Sequence, residues 1–199
     1  MDDPDRVFGL VLAAGQSRRL GQPKQLLDLA GKPLVAHIVE HALAAPLDGV
    51  VVVTGSHASE VELALRGVPV YRVFNPHFAQ GQGSSLAAGV RAMPSTVDAV
   101  VVMLGDVPGV MPDAIGAVVA RWRETHAPAV VTRYGGQQGH PVLFDRSVFF
   151  ELASLEGDVG GREILRALGD LVEAIELPEE MPSDVDTEDD WERLQDEWA

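Results

Sequence analysis

The sequence predicts a three-layer α/β/α domain built on a mostly parallel sheet. Short apolar runs alternate with helix-length amphipathic stretches along all 199 residues, the pattern that successive βα units leave in a sequence. Some of the runs, Val50-Val51-Val52-Val53 and Val100-Val101-Val102 among them, are apolar at successive positions rather than alternate ones. Strands covered by helices on both faces have this character. No internal repeat or linker divides the chain, so residues 1–199 are expected to form a single domain with a substantial core.

The elements follow in order. The apolar run 7–12 opens the sheet, and a helix over 33–44 begins at Pro33, whose fixed φ suits a first helical turn. The valine run gives a strand at 50–54, followed by a helix over 56–65 and a strand at 70–73. Glycines then precede a helix over 84–92, with Ser84 or Ser85 available as its cap. A strand at 99–104 leads to a helix over 112–125 that starts on Pro112. Strands at 129–132 and 141–144 flank Tyr134-Gly135-Gly136-Gln137-Gln138-Gly139, which reads as a mobile loop beside the site. Helices over 146–153 and 160–168, a strand at 171–175 and a helix over 187–198 complete the pattern. Thr187 and Asp190 supply the cap and acidic first turn of that last helix.

Composition excludes several classes. The formal net charge of −15 makes nucleic acid a poor partner, because phosphate-backbone binding needs a positive footprint. No apolar stretch reaches the roughly eighteen residues of a membrane span. The acidic N-terminus lacks a signal peptide's apolar region. Cysteine is absent, which removes disulfides and thiolate metal sites and fits a cytoplasmic protein.

Within this acidic chain, cations gather directly after the first strand, in Leu12-Ala13-Ala14-Gly15-Gln16-Ser17-Arg18-Arg19-Leu20-Gly21-Gln22-Pro23-Lys24. A glycine turn after a strand presents several backbone N–H groups to one point, a nest suited to phosphate oxygens. The spacing is neither a Walker A loop nor a dinucleotide fingerprint. Arg19 and Lys24 are the candidate triphosphate ligands. A second signal is Gly105-Asp106 at the end of the 99–104 strand. Ligands of such sheets bind beyond the carboxyl ends of the strands. A carboxylate there beside a triphosphate loop is a candidate Mg2+ ligand, since Mg2+ is held by one or two carboxylates plus phosphates and water. By itself, the acidic stretch Ser183-Asp184-Val185-Asp186-Thr187-Glu188-Asp189, with Asp186 in it, is a helix-capping signal.

The ordered parts Leu12-Ala13-Ala14-Gly15, Arg19-Leu20-Gly21 and Pro23-Lys24 resemble the signature loop of nucleotidyltransferases with the Rossmann-like, GT-A-like fold of nucleotide-diphospho-sugar transferases. Three further segments are Gly139-His140-Pro141-Val142-Leu143-Phe144, Gly157-Asp158-Val159-Gly160-Gly161-Arg162 and the Asp186 motif. With them the chain resembles the MobA-like NTP transferase family, in its molybdenum cofactor cytidylyltransferase branch, from Phe8 to Leu194.

The resemblance implies that Asp186 joins Asp106 on the metal, although Glu188 stands where the family usually has proline. It implies that Leu12, Ala13, Ala14 and Gly15 hold the nucleotide and that Gly83, Ser84 and Ser85 lie at the base. Ala14 favours CTP, since the GTP-using loops have glycine there; a methyl of this kind is worth about 1–3 kcal/mol in a pocket. Gly160, Gly161 and Arg162 suit an acceptor phosphate, and His140 either meets the acceptor or packs before Pro141. The implied reaction is Mg2+-dependent transfer of CMP from CTP to the phosphate of molybdopterin. A molybdoenzyme that receives the product is a candidate partner. The alternatives are another NTP, an acceptor such as a sugar phosphate or phospholactate, or a non-catalytic chaperone for the cofactor.

Overall fold

The structure is a computed structural model and describes residues 5–17 and 20–198. In chain order its elements begin with β1 (Val7–Ala13), the two-residue pair β2 (Asp28–Leu29) and β3 (Lys32–Pro33), α1 (Leu34–Ala44), β4 (Gly49–Thr54), α2 (Ala58–Ala64) and β5 (Tyr71–Phe74). Then come α3 (Gln82–Arg91), β6 (Ala99–Leu104), α4 (Pro112–Thr125), β7 (Ala129–Tyr134), β8 (Gln137–Asp145) and α5 (Phe149–Ala153). The last three are α6 (Arg162–Leu168), β9 (Val172–Leu177) and α7 (Glu188–Glu197). Seven strands form one sheet in the order β5-β4-β1-β6-β8-β7-β9. All run the same way except β8, which is antiparallel to both neighbours.

Burial explains the continuous apolar runs. Along β1, Val7, Val11 and Ala13 enter the core under α1 and α4, while Phe8, Leu10 and Leu12 enter the core under α3, α5 and α6. Successive side chains of a strand point to opposite faces, so a strand covered twice needs apolar residues throughout. Gly89 brings α3 down onto β1, because a Cβ there would stand 2.4 Å from Leu10 Cδ1. A third, smaller cluster lies off the sheet. Leu27, Leu29 and Leu34 pack there against Val185, Trp191 and Leu194, joining the β2–β3 pair and the start of α1 to α7.

The three-layer architecture is as the sequence predicts, and all seven expected strands lie in the sheet. The expected loop 134–139 is instead a tight hairpin. Gly135 and Gly136 take φ of 55° and 80°, and Tyr134 pairs with Gln137. Two successive positive φ values match the turn that follows the natural twist of a hairpin. Helix 160–168 starts two residues later than expected, and 146–153 divides into a 3-10 turn, Arg146–Val148, and α5. Among the described residues, no helix is long and apolar enough to cross a membrane.

Candidate active site

The loop after β1 is braced from below. Gln25, 2% exposed, sits in a short 3-10 turn, Lys24–Leu26. Its Nε2 donates to the carbonyl of Gly15 at 3.2 Å and to that of Ala13 at 3.5 Å. Its Oε1 accepts from Ser17 Oγ at 3.3 Å, and Ser17 Oγ accepts from the Lys24 N–H at 2.8 Å. Ser17 itself has φ of 50°, a backbone conformation that non-glycine residues adopt only where surroundings hold it. One carboxamide therefore fixes both the curve of the loop and the departure point of Lys24. The sequence reading missed Gln25. Arg18 and Arg19 lie outside the described residues.

Asp106 follows β6, which lies beside β1. The Gly105 N–H donates to the Leu12 carbonyl at 2.9 Å. A Cβ at Gly105 would be 3.1 Å from both that oxygen and the Ala13 Cβ, so the glycine lets the two strand ends run close. Asp106 is 9% exposed. Asp186 arrives from the far end of the chain, anchored by the fully buried Val185. The cap of α7 is formed by its neighbours. Thr187 Oγ1 accepts from the Asp190 N–H at 3.2 Å, and the Asp190 carboxylate accepts from the N–H groups of Thr187 at 2.8 Å and Asp186 at 3.2 Å. The hydrogen bonds from Thr187 are the main reason the Asp190 carboxyl is held below its usual pKa. The capping work falls to Thr187 and Asp190, which leaves the Asp186 side chain to face Lys24.

Lys24 Nζ meets both acids, contacting Asp106 Oδ2 and lying 2.9 Å from Asp186 Oδ1. Burial alone would lower the pKa of this ammonium, but the two carboxylates, Asp106 foremost, outweigh it and raise the value. A monovalent cation thus already occupies the point where the two carboxylates converge. The donor set fits a divalent ion of the Mg2+ type, which takes one or two carboxylates and draws its remaining ligands from phosphate and water. Among the described residues no group of three His, Cys, Asp or Glu gathers to hold a metal, so the two carboxylates would supply only part of such an ion's shell.

Two cavities adjoin at the ends of β1 and β6. The smaller, about 520 Å³, is lined by Leu12, Ala13, Ala14, Gly15, Lys24, Ser85, Asp106 and Asp184, among others. The larger, about 850 Å³, is lined by His140, Gly160, Gly161 and Arg162 together with the apolar ends of β6, β7 and β8. Leu12, Gln82, Leu104, Asp158 and Arg162 line both and mark the junction. Burial, the largest influence, lowers the pKa of His140, against the hydrogen bond between its Nδ1 and the Val102 carbonyl at 3.4 Å, which raises it.

Gly83 and Ser84, expected at the base, do not line the smaller cavity. The Gly83 N–H donates to the Gly157 carbonyl at 2.9 Å, and a Cβ there would stand 2.2 Å from the Val159 carbonyl oxygen. The glycine makes room for the 157–160 loop. Ser84 Oγ donates to backbone carbonyls at His77 and Gly81 and accepts from Asn75 Nδ2 at 2.9 Å. Its hydroxyl is consumed in holding the turn before α3. Ser85, also bonded to Asn75, does line the smaller cavity.

Residues 9–172 match the MobA-like NTP transferase domain. The purine catabolism protein PucB of Bacillus subtilis is 31% identical over 94% of this chain and 95% of its own. The nicotine blue oxidoreductase of Paenarthrobacter nicotinovorans is 33% identical over 94% of this chain and 96% of its own. Rv0371C of Mycobacterium tuberculosis, solved as a complex with manganese, superposes with a TM-score of 0.84 at 31% identity, covering 96% of this chain and 98% of that one.

Proposed function

The chain belongs to the MobA-like NTP transferase family and is a nucleotidyltransferase, and from that premise we propose that it transfers CMP from CTP to the phosphate of a molybdopterin-type cofactor, releasing pyrophosphate. The observation that carries this reading is the convergence of Lys24, Asp106 and Asp186 beside the junction of two cavities. One cavity has a size and lining suited to a nucleotide, and the other suits a second, larger substrate.

An oxygen of the acceptor phosphate attacks the α-phosphorus of CTP, and the bond from that phosphorus to the bridging oxygen of pyrophosphate breaks. The attacking phosphate is anionic at neutral pH, so no proton has to be removed. Catalysis then consists of positioning and charge neutralisation. The N–H groups of the Ala14–Ser17 loop cradle the triphosphate, and Gln25 keeps that loop curved. Lys24, together with Arg19, offsets charge on the triphosphate and on the departing pyrophosphate. Arg162, common to both cavities, holds the acceptor phosphate against the α-phosphorus. Bound by Asp106 and Asp186, Mg2+ would supply further neutralisation at the phosphate oxygens; the manganese complex of Rv0371C supports a divalent ion in this role. Ala14, 4% exposed beneath the smaller cavity, favours cytosine by restricting room for a purine. A molybdoenzyme is the expected recipient of the product, in the cytoplasm.

Pyrophosphate release, measured with each of the four NTPs and with cofactor, sugar phosphate and phospholactate acceptors in Mg2+, tests the reading. CTP with the cofactor should be the fastest pair by about tenfold or more. A faster sugar phosphate would transfer the reaction to that acceptor, and release with none of them would remove it.

A further inference from the structure

The larger cavity is bounded by two unlike walls. The sheet supplies an apolar floor, with Val131, Val142 and Phe144 along it. The opposite wall is α6, which offers Arg162 and Arg166 four positions apart and so on one helical face. Arg133 stands two residues beyond Val131 on β7, so both side chains point to the same side of the sheet. Arg162 lines both cavities, whereas Arg133 and Arg166 line the larger one alone. The carboxylates along this cavity are Asp158 at the junction and Asp170 after α6.

None of these three guanidiniums makes a hydrogen bond or ion pair among the described residues. Arg121, Arg146 and Arg193 elsewhere are each paired with an acid, as a chain of net charge −15 readily allows. Three guanidiniums left open along one partly apolar cavity are suited to anionic groups, which arginine grips with two parallel N–H donors. A single acceptor phosphate needs Arg162 alone. A small acceptor would also leave most of the roughly 850 Å³ unfilled.

We propose that the acceptor is a phosphate ester with a broad, largely apolar or planar body and a second anionic group at the end remote from the phosphate, and that Arg133 and Arg166 recognise that second group. This rests on the reading that the acceptor phosphate lies at Arg162. It adds two specificity-determining residues on the sheet wall and the helix wall, neither near the reacting phosphorus.

Calorimetric titration with two probes tests it. One is a naphthalene disulfonate with its sulfonates at opposite ends, and the other is naphthalene monosulfonate. The native protein should bind the disulfonate about tenfold more tightly, the worth of one added charge-assisted contact. The double variant Arg133→Ala/Arg166→Ala should lose that difference while keeping its affinity for the monosulfonate and for CTP. All three arginines are exposed, so the variants keep the core intact, which their unfolding midpoints would verify. Equal binding of the two probes by the native protein overturns the proposal. So does a double variant that retains the difference or weakens both probes alike. Failure of CMP transfer would look different: no pyrophosphate from any acceptor, with the sulfonate difference still present.

Discussion

On the proposed reading, Lys24 and a divalent ion compete for the same two carboxylates. Replacing Lys24 by Ala should therefore cut turnover by about 10²–10³-fold, the usual cost of losing a charge-stabilising donor. It should also tighten Mn2+ binding, because the competing ammonium has gone. Manganese titration followed by electron paramagnetic resonance reads the second effect, and weaker Mn2+ binding by the variant would mean that Lys24 helps to build the metal site. Lys24 and Asp106 were singled out in the sequence because each sits in a short motif whose chemistry is recognisable locally, whereas Asp186 was singled out only through the family resemblance. Gln25 was not singled out at all. Its contacts run to Ala13, Gly15 and Ser17 through a fold in the chain, and nothing in Lys24-Gln25-Leu26 marks the amide as buried.

At the scale of elements, the first turn of α3 and the loop before α6 interlock through glycine. Gly83→Ala would drive a methyl into the Val159 carbonyl, which belongs to backbone and has little freedom to yield. Overpacking of this kind costs about 1–3 kcal/mol. The expected result is a lower unfolding midpoint together with a raised KM for the acceptor, since the displaced loop carries Asp158 and leads to Gly160 and Arg162. An unchanged midpoint would show that the loop has another place to go. The glycines of 81–83 were visible in the sequence, but a missing side chain does not say which neighbour fills the space, and here it is the protein itself. The same limit hid the β7–β8 hairpin. Gln137-Gln138-Gly139 has no apolar run to announce a strand; pairing with β7 makes it one. The β2–β3 pair is too short for any periodicity to show.

For the molecule as a whole, the sheet sets the two main cores and the third cluster sets the site. Val50–Val53 and Val100–Val102 predicted the sheet well because burial on both faces leaves an unbroken apolar run. The packing of α7 against the β2–β3 pair left no comparable trace. Leu194, 2% exposed, lies in that third cluster with Val185. Leu194→Ala should cost about 2–5 kcal/mol locally and loosen the hold on Asp186. We expect weaker Mn2+ binding and slower turnover, with the amides of β1, β4 and β6 still protected from hydrogen exchange. Loss of protection across the sheet would instead mean that α7 is part of the global core. The contact between Lys24 and Asp186 spans 162 positions. A growing polypeptide on the ribosome must therefore emerge past Asp186 before the pair can close, so the last strand of the sheet, β9, leaves the ribosome before the candidate site can be complete.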